Sequence, residues 1–170
     1  MKINGKILVT GSEGLLGSEL IKYLKKIKQN YIKFSSKELD LTDLKKLDLY
    51  FKKNKPKFVI HSANRVYGIG GNFKKKFDII NENLIINANL LKVCSKYQIK
   101  KIVFISSSAI YSEKLKKKIK EKDALKYNPH VSEFYYGISK RTMLHQLNAL
   151  YNQNKIKFCY IIMNNMYGKN

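Results

Sequence analysis

Cysteine is nearly absent: Cys94 and Cys159 are the two in 170 residues. One sits in a helical pattern and one in a strand pattern. They lack metal-ligand spacing, so both are expected to be small buried hydrophobes in a reducing compartment, and no metal site is expected. Long apolar runs are missing too, and none approaches the roughly 18 to 20 residues that span a bilayer. The chain enters its first strand at Lys6, so neither a signal nor a transit peptide is expected, and a cytoplasmic protein without a membrane partner is. Arginine is scarce: Arg65 and Arg141 are the two among 34 basic residues, against 12 acidic ones. A net charge of +22 would ordinarily suggest a nucleic-acid partner. Recognition of phosphates and guanines leans on arginine's planar fork, so the lysines read as solvated faces of a biased composition, with no specific nucleic-acid partner. Non-specific binding to polyanions at low salt stays open.

What is present is organised around Gly11-Ser12-Glu13-Gly14-Leu15-Leu16-Gly17. Lys6 to Thr10 has the branched residues of a buried strand, and Leu16, Leu20, Ile21, Leu24 and Ile27 follow at helical spacing. Strand, glycine turn and helix together predict a dinucleotide-phosphate loop. The glycines allow a sharp turn, backbone N–H approach to a pyrophosphate and close helix packing, while the helix N-terminus contributes positive potential. Gly11, Ser12, Glu13, Gly14, Leu15, Leu16 and Gly17 are therefore candidate cofactor contacts.

Tyr31 to Phe34 reads as a second strand, after which an acid holding a ribose 2′-hydroxyl would mark NAD. No acid stands there, and Ser36 with Lys37 tilts the cofactor toward NADP(H) over NAD(H). Glu13 works against that tilt if it lies close. Glu38 to Leu41 predicts a short third strand whose Asp40 and Leu41 would meet an adenine; alternatively Asp40 or Thr42 caps the helix Asp43 to Asn54. A fourth strand, Phe58 to Ala63, runs into a glycine-bearing loop, Asn64 to Asn72, which is either a backbone-access site or a plain connection, and small Ser62 and Ala63 leave room for a cofactor. A long helix spans Phe77 to Tyr97, interrupted by Asn81, Asn83, Asn87 and Asn89; either one of these reaches the site or, as for most of them, they are background in an Asn-rich chain. A fifth strand from Lys101 carries Ile105, Ser106 and Ser107 to the edge where open α/β sheets bind ligands. The Lys-rich stretch 114–122 reads as an exposed loop or a turn of helix. A last helix runs Tyr135 to Asn152, and a sixth strand, Lys157 to Met163, delivers Met163 and Asn165 to the same edge. The alternation predicts one domain over residues 1–170, a Rossmann-like doubly wound parallel sheet with helices on both faces.

Tyr136 and Lys140 lie four residues apart on one helix face. An adjacent ammonium favours tyrosinate, so a lowered phenol pKa is expected, making Tyr136 a general acid or base. Lys140 would also reach a nicotinamide ribose, and Ser107 would polarise a carbonyl as hydride moves.

Thr10-Gly-x-x-Gly-x-x-Gly17, His61-x-Ala63 and Tyr136-x-x-x-Lys140 together resemble the N-terminal part of an extended short-chain dehydrogenase/reductase of the NAD-dependent epimerase/dehydratase group. Val59-Ile60-His61 leading to Arg65-Val66-Tyr67-Gly68-Ile69, Asn81 to Leu84, Ser107 to Tyr111, and Asn165 to Gly168 make the likeness one to the GDP-L-fucose synthase family. The resemblance implies NADPH-dependent epimerisation and reduction of a GDP-linked 4-keto-6-deoxymannose, with Ser107, Tyr136 and Lys140 catalytic. It also implies a homodimer through the two long helices and a substrate portion lying beyond Asn170. That family's proton-transferring cysteine, two residues after the serine, is Ala109 here, and Met163 and Lys169 replace common prolines. Epimerisation is thereby put in doubt, and a truncated, catalytically silent dinucleotide-binding module is the alternative.

Overall fold

The computed structural model describes residues 3–116 and 118–168; Lys169 and its substitution lie outside them. The elements are β1 (Ile7–Thr10), α1 (Leu15–Lys26), β2 (Tyr31–Lys33), α2 (Leu44–Asn54), β3 (Phe58–His61), α3 (Gly68–Lys74), α4 (Lys76–Lys96), β4 (Lys101–Ser107), α5 (Phe134–Asn154) and β5 (Lys157–Met163). The five strands form one parallel sheet in the order β2-β1-β3-β4-β5. Side chains alternate across it, and β1 shows how this sorts the layers. Ile7 and Val9 pack with Leu24 of α1, whereas Leu8 points into the larger core of Leu47 and Phe51 from α2, Leu90 and Cys94 from α4, and Met143 and Leu147 from α5. Helices cover both faces, as a doubly wound sheet requires.

Four local expectations fail. Glu38 to Leu41 is a turn, because the Ser35 carbonyl accepts from the N–H groups of Glu38 and Leu39, and the Asp40 carboxylate accepts from Thr42. Leu39 and Leu41 are buried as alternation demands, but the Ser35 hydroxyl and the Asp40 carboxylate, with the Ser35 carbonyl, take the backbone N–H groups that a ladder would need. Asp43, rather than Asp40 or Thr42, caps α2 by accepting from the Lys46 N–H. The stretch 64–72 is in part helical, since α3 begins at Gly68. Cys94 is buried and its thiol is pushed up by that burial, but Cys159 is only half-buried on the far face of β5.

The asparagines of α4 are the other surprise. Asn83 accepts from the Arg65 N–H at 3.0 Å and donates to the Arg65 carbonyl at 2.9 Å. Asn87 meets His61 at 3.2 Å, and Asn89 donates to the carbonyls of Leu41 and Thr42. A helix interior poor in propensity thus ties down β3 and the loops that follow β2 and β3.

Candidate active site

The glycine loop rises from β1 into α1 and is fixed by close approach. Gly11 has φ +69°, and a Cβ there would lie 2.7 Å from the Ala63 nitrogen; one on Gly17 would lie 2.0 Å from the Gly11 carbonyl oxygen. Any side chain at either place would push the loop off the sheet. Gly14 differs, since a Cβ would meet nothing closer than 3.4 Å. It caps α1 and leaves the helix N-terminus open. The Ser12 hydroxyl turns inward to donate to the Phe34 carbonyl at 3.0 Å, so only its backbone remains for a ligand.

Two cavities flank this loop along the C-terminal edge of the sheet. The first, about 380 Å³, lies over β1 and β2 and is lined by Gly11, Ser12, Glu13, Gly14, Ser36, Asp40, Leu41 and Ala63, together with Phe34, Leu39, Ser62, Asn64, Arg65 and Ile86. The second, about 260 Å³, lies over β4 and β5, where Gly14, Leu15, Leu16, Gly17, Ile105, Ser106, Ser107, Tyr136, Met163 and Asn165 meet. Gly11, Gly14, Ser62 and Asn64 belong to both. One groove therefore runs from the β2 edge to β5.

Glu13 and Ser36 both line the first cavity, so an acid shares the cavity with the position that favoured a phosphate. Asp40 is held below the usual carboxylate range by the Thr42 N–H, helped by Arg65. The Arg65 guanidinium lies 3.3 Å from both Asp40 and Glu82, bridging the loop after β2 to α4.

In the second cavity Ser107 accepts from the Ala109 N–H at 3.2 Å, which leaves its own O–H to donate. The Ser106 hydroxyl is spent on Tyr160 at 2.6 Å. Tyr136 stands in the first turn of α5 and Lys140 one turn further, its Nζ 5.4 Å from the Tyr136 ring centre and 4.6 Å from that of Phe104. Lys140 donates to the Ile105 carbonyl at 2.9 Å and to the Asn64 side-chain oxygen. Burial lowers Lys140 to about 7 and raises Tyr136 to about 12. The expected lowering of the phenol is overturned: desolvation outweighs an ammonium that is drawn away to Asn64 and Ile105. A phenol raised this far is protonated at neutral pH, which makes it an acid first.

His61 is fully buried and lowered to about 3 by desolvation and by the nearby Lys140 charge. It joins Thr10 at 2.6 Å to Asn87, a neutral cross-tie inside the sheet. His130 and His145 are exposed.

A model of the NAD dependent epimerase/dehydratase family matches residues 7–170. The chain belongs to that family. Among its relatives are a GDP-L-fucose synthase from Dictyostelium discoideum, 36% identical over 95% of this chain and 52% of its own length. A GDP-L-colitose synthase from Yersinia pseudotuberculosis is 32% identical over 96% of this chain and 54% of its own. The solved GDP-mannoheptose C4 reductase from Campylobacter jejuni with NADP bound superposes with a TM-score of 0.91 at 28% identity, covering 98% of this chain and 53% of that one. The chain spans about half the length of the curated relatives it matches.

The epimerase/dehydratase motifs were legible because they are contiguous or one helical turn apart. Asn64, Arg65, Phe34, Leu39 and Ile86 were missed as site residues, since they come from the loops after β2 and β3 and from α4, which only the fold brings together. Arg65 carried one signal: it is one of only two arginines. The other, Arg141, is buried and spends its guanidinium on the carbonyls of Ile110, Lys126 and Tyr127.

Proposed function

We propose that this chain binds NADP(H) in preference to NAD(H), and that it carries the redox part of a reductase or epimerase acting on a GDP-linked keto sugar. The observation that carries the reading is the continuous groove, with the open N-terminus of α1 at its middle, Ser36 and Asp40 toward one end, and Ser107 and Tyr136 at the other. The cradle fits a dinucleotide: Gly14 is the loop glycine above which a Cβ meets no close neighbour, and Leu41 and Ile86 offer an apolar wall. Ser36 would face the adenosine ribose, the N–H groups of residues 12–16 the pyrophosphate, and Lys140 the nicotinamide ribose.

When bound, the reduced nicotinamide supplies a hydride to the sugar carbonyl carbon. Ser107 donates a hydrogen bond to the carbonyl oxygen, and Tyr136, protonated at neutral pH, delivers its proton there as the C–H bond forms. The transfer leaves a tyrosinate behind, one helical turn from Lys140. Ala109 cannot transfer a proton, so reduction without inversion at the neighbouring carbons is the expected course. A homodimer through α4 and α5 is part of the proposal by family resemblance; both helices lie on one face of the sheet.

Fluorescence titration with NADPH and NADH tests the binding, and turnover of a GDP-linked 4-keto sugar tests the chemistry. Tighter binding of NADPH is expected, with activity lost in Tyr136→Phe while binding persists. Turnover surviving Tyr136→Phe would refute the mechanism. A second reading, a module that binds dinucleotide without turnover, is favoured by the chain spanning about half the length of the curated relatives it matches; NADPH binding with no GDP-sugar binding would decide for it.

A further inference from the structure

Lys140 is 2% exposed, and among the described residues no ion pair joins it to a carboxylate. Facing it are His61 on β3, Tyr136 on its own helix and the Phe104 ring on β4, while the Tyr160 hydroxyl on β5 donates to the Lys140 backbone carbonyl. Glu133, at the start of α5, acts on Tyr136. An ammonium so placed needs directional acceptors, and it has two: the Ile105 carbonyl, fixed by the sheet, and the Asn64 carboxamide oxygen.

The Asn64 amide is oriented for this. Its Nδ2 donates to the Ser62 carbonyl at 3.1 Å, which turns Oδ1 toward α5. The next residue, Arg65, is clamped at both backbone groups by Asn83. Asn64 thereby stands where the two cavities join. We propose that Asn64 is a positioning residue: its side-chain oxygen holds the Lys140 ammonium at the junction of the groove and keeps it charged there. The geometry of Lys140 is thus set from β3 as well as from the helix that carries it. The claim about Asn64 concerns the chain itself; only its use in dinucleotide binding rests on the proposed function.

The test is the titration of Lys140, followed by NMR of labelled lysine side chains in the chain without cofactor, for the parent, Asn64→Ala and Asn64→Asp. Loss of the acceptor disfavours the ammonium and a carboxylate favours it, so the midpoint should fall by about one pH unit in Asn64→Ala and rise by about one in Asn64→Asp. A purely structural role would move both variants in the same direction or neither, and either result overturns the proposal. NADPH affinity measured from pH 5.5 to 9 on the same proteins should weaken as Lys140 loses its proton, with the midpoint displaced in the same order. Absence of NADPH binding in the parent would count against the proposed function, while the lysine titration still decides the role of Asn64.

Discussion

Replacing Lys140 with methionine gives a measurable consequence of burying an ammonium against neutral partners. Burial lowers its pKa from 10.5 to about 7. Between those values the unfolded chain binds a proton that the folded chain does not, so stability rises with pH across that window and levels off above it. A displacement of that size corresponds to about 5 kcal/mol accumulated between pH 7 and 10.5, at about 1.4 kcal/mol per unit. Methionine fills a similar volume without charge. Its loss of hydrogen bonds to Asn64 and Ile105 leaves two acceptors unpaired, a cost of about 1–3 kcal/mol each that does not vary with pH in this range. Urea unfolding of both proteins at intervals from pH 6 to 10.5 should give curves that converge or cross: the Lys140→Met variant fares relatively best at or below pH 7 and loses that advantage progressively toward pH 10.5. Parallel curves would show that Lys140 titrates normally and would refute its burial as a charged group.

Three further expectations can be checked on the same footing. Gly17→Ala forces a Cβ to 2.0 Å from the Gly11 carbonyl oxygen and should cost about 3 kcal/mol or more in thermal unfolding, whereas Gly14→Ala, which loses only the N-cap preference for glycine, should cost about 1 kcal/mol or less. Asn83→Ala frees both backbone groups of Arg65 and should destabilise by about 1–3 kcal/mol, with faster amide exchange at Arg65. His61, lowered from 6.5 to about 3, contributes stability that is complete above pH 6.5 and lost as pH falls toward 3; acid titration by circular dichroism should show that limb weakened in His61→Gln.

The charge balance also becomes interpretable. Both arginines are engaged internally, Arg65 with Asp40 and Glu82 and Arg141 with three backbone carbonyls. Asp48 is likewise paired, by Lys96 at 2.7 Å. Among the described residues no helix is long and apolar enough to cross a membrane.

The sequence by itself determined the parallel α/β order, the glycine loop and the Tyr136–Lys140 pair, because strand and helix periods and i, i+4 spacing are local properties. It also placed Ser107, Met163 and Asn165 at one edge, since strands of a parallel sheet end together. Only the tertiary structure decided the rest. Glu38 to Leu41 had the alternation of a strand, but Ser35 and Asp40 offered the backbone closer partners. The asparagines of α4 looked like composition, yet Asn83, Asn87 and Asn89 hold Arg65, His61 and the loop after β2 across 18, 26 and 47 or 48 residues of chain. The acidity of Tyr136 was misjudged for the same reason. Proximity to Lys140 could be read from spacing, but the desolvation of the phenol and the capture of the ammonium by Asn64 depend on what β3 and β4 bring against α5.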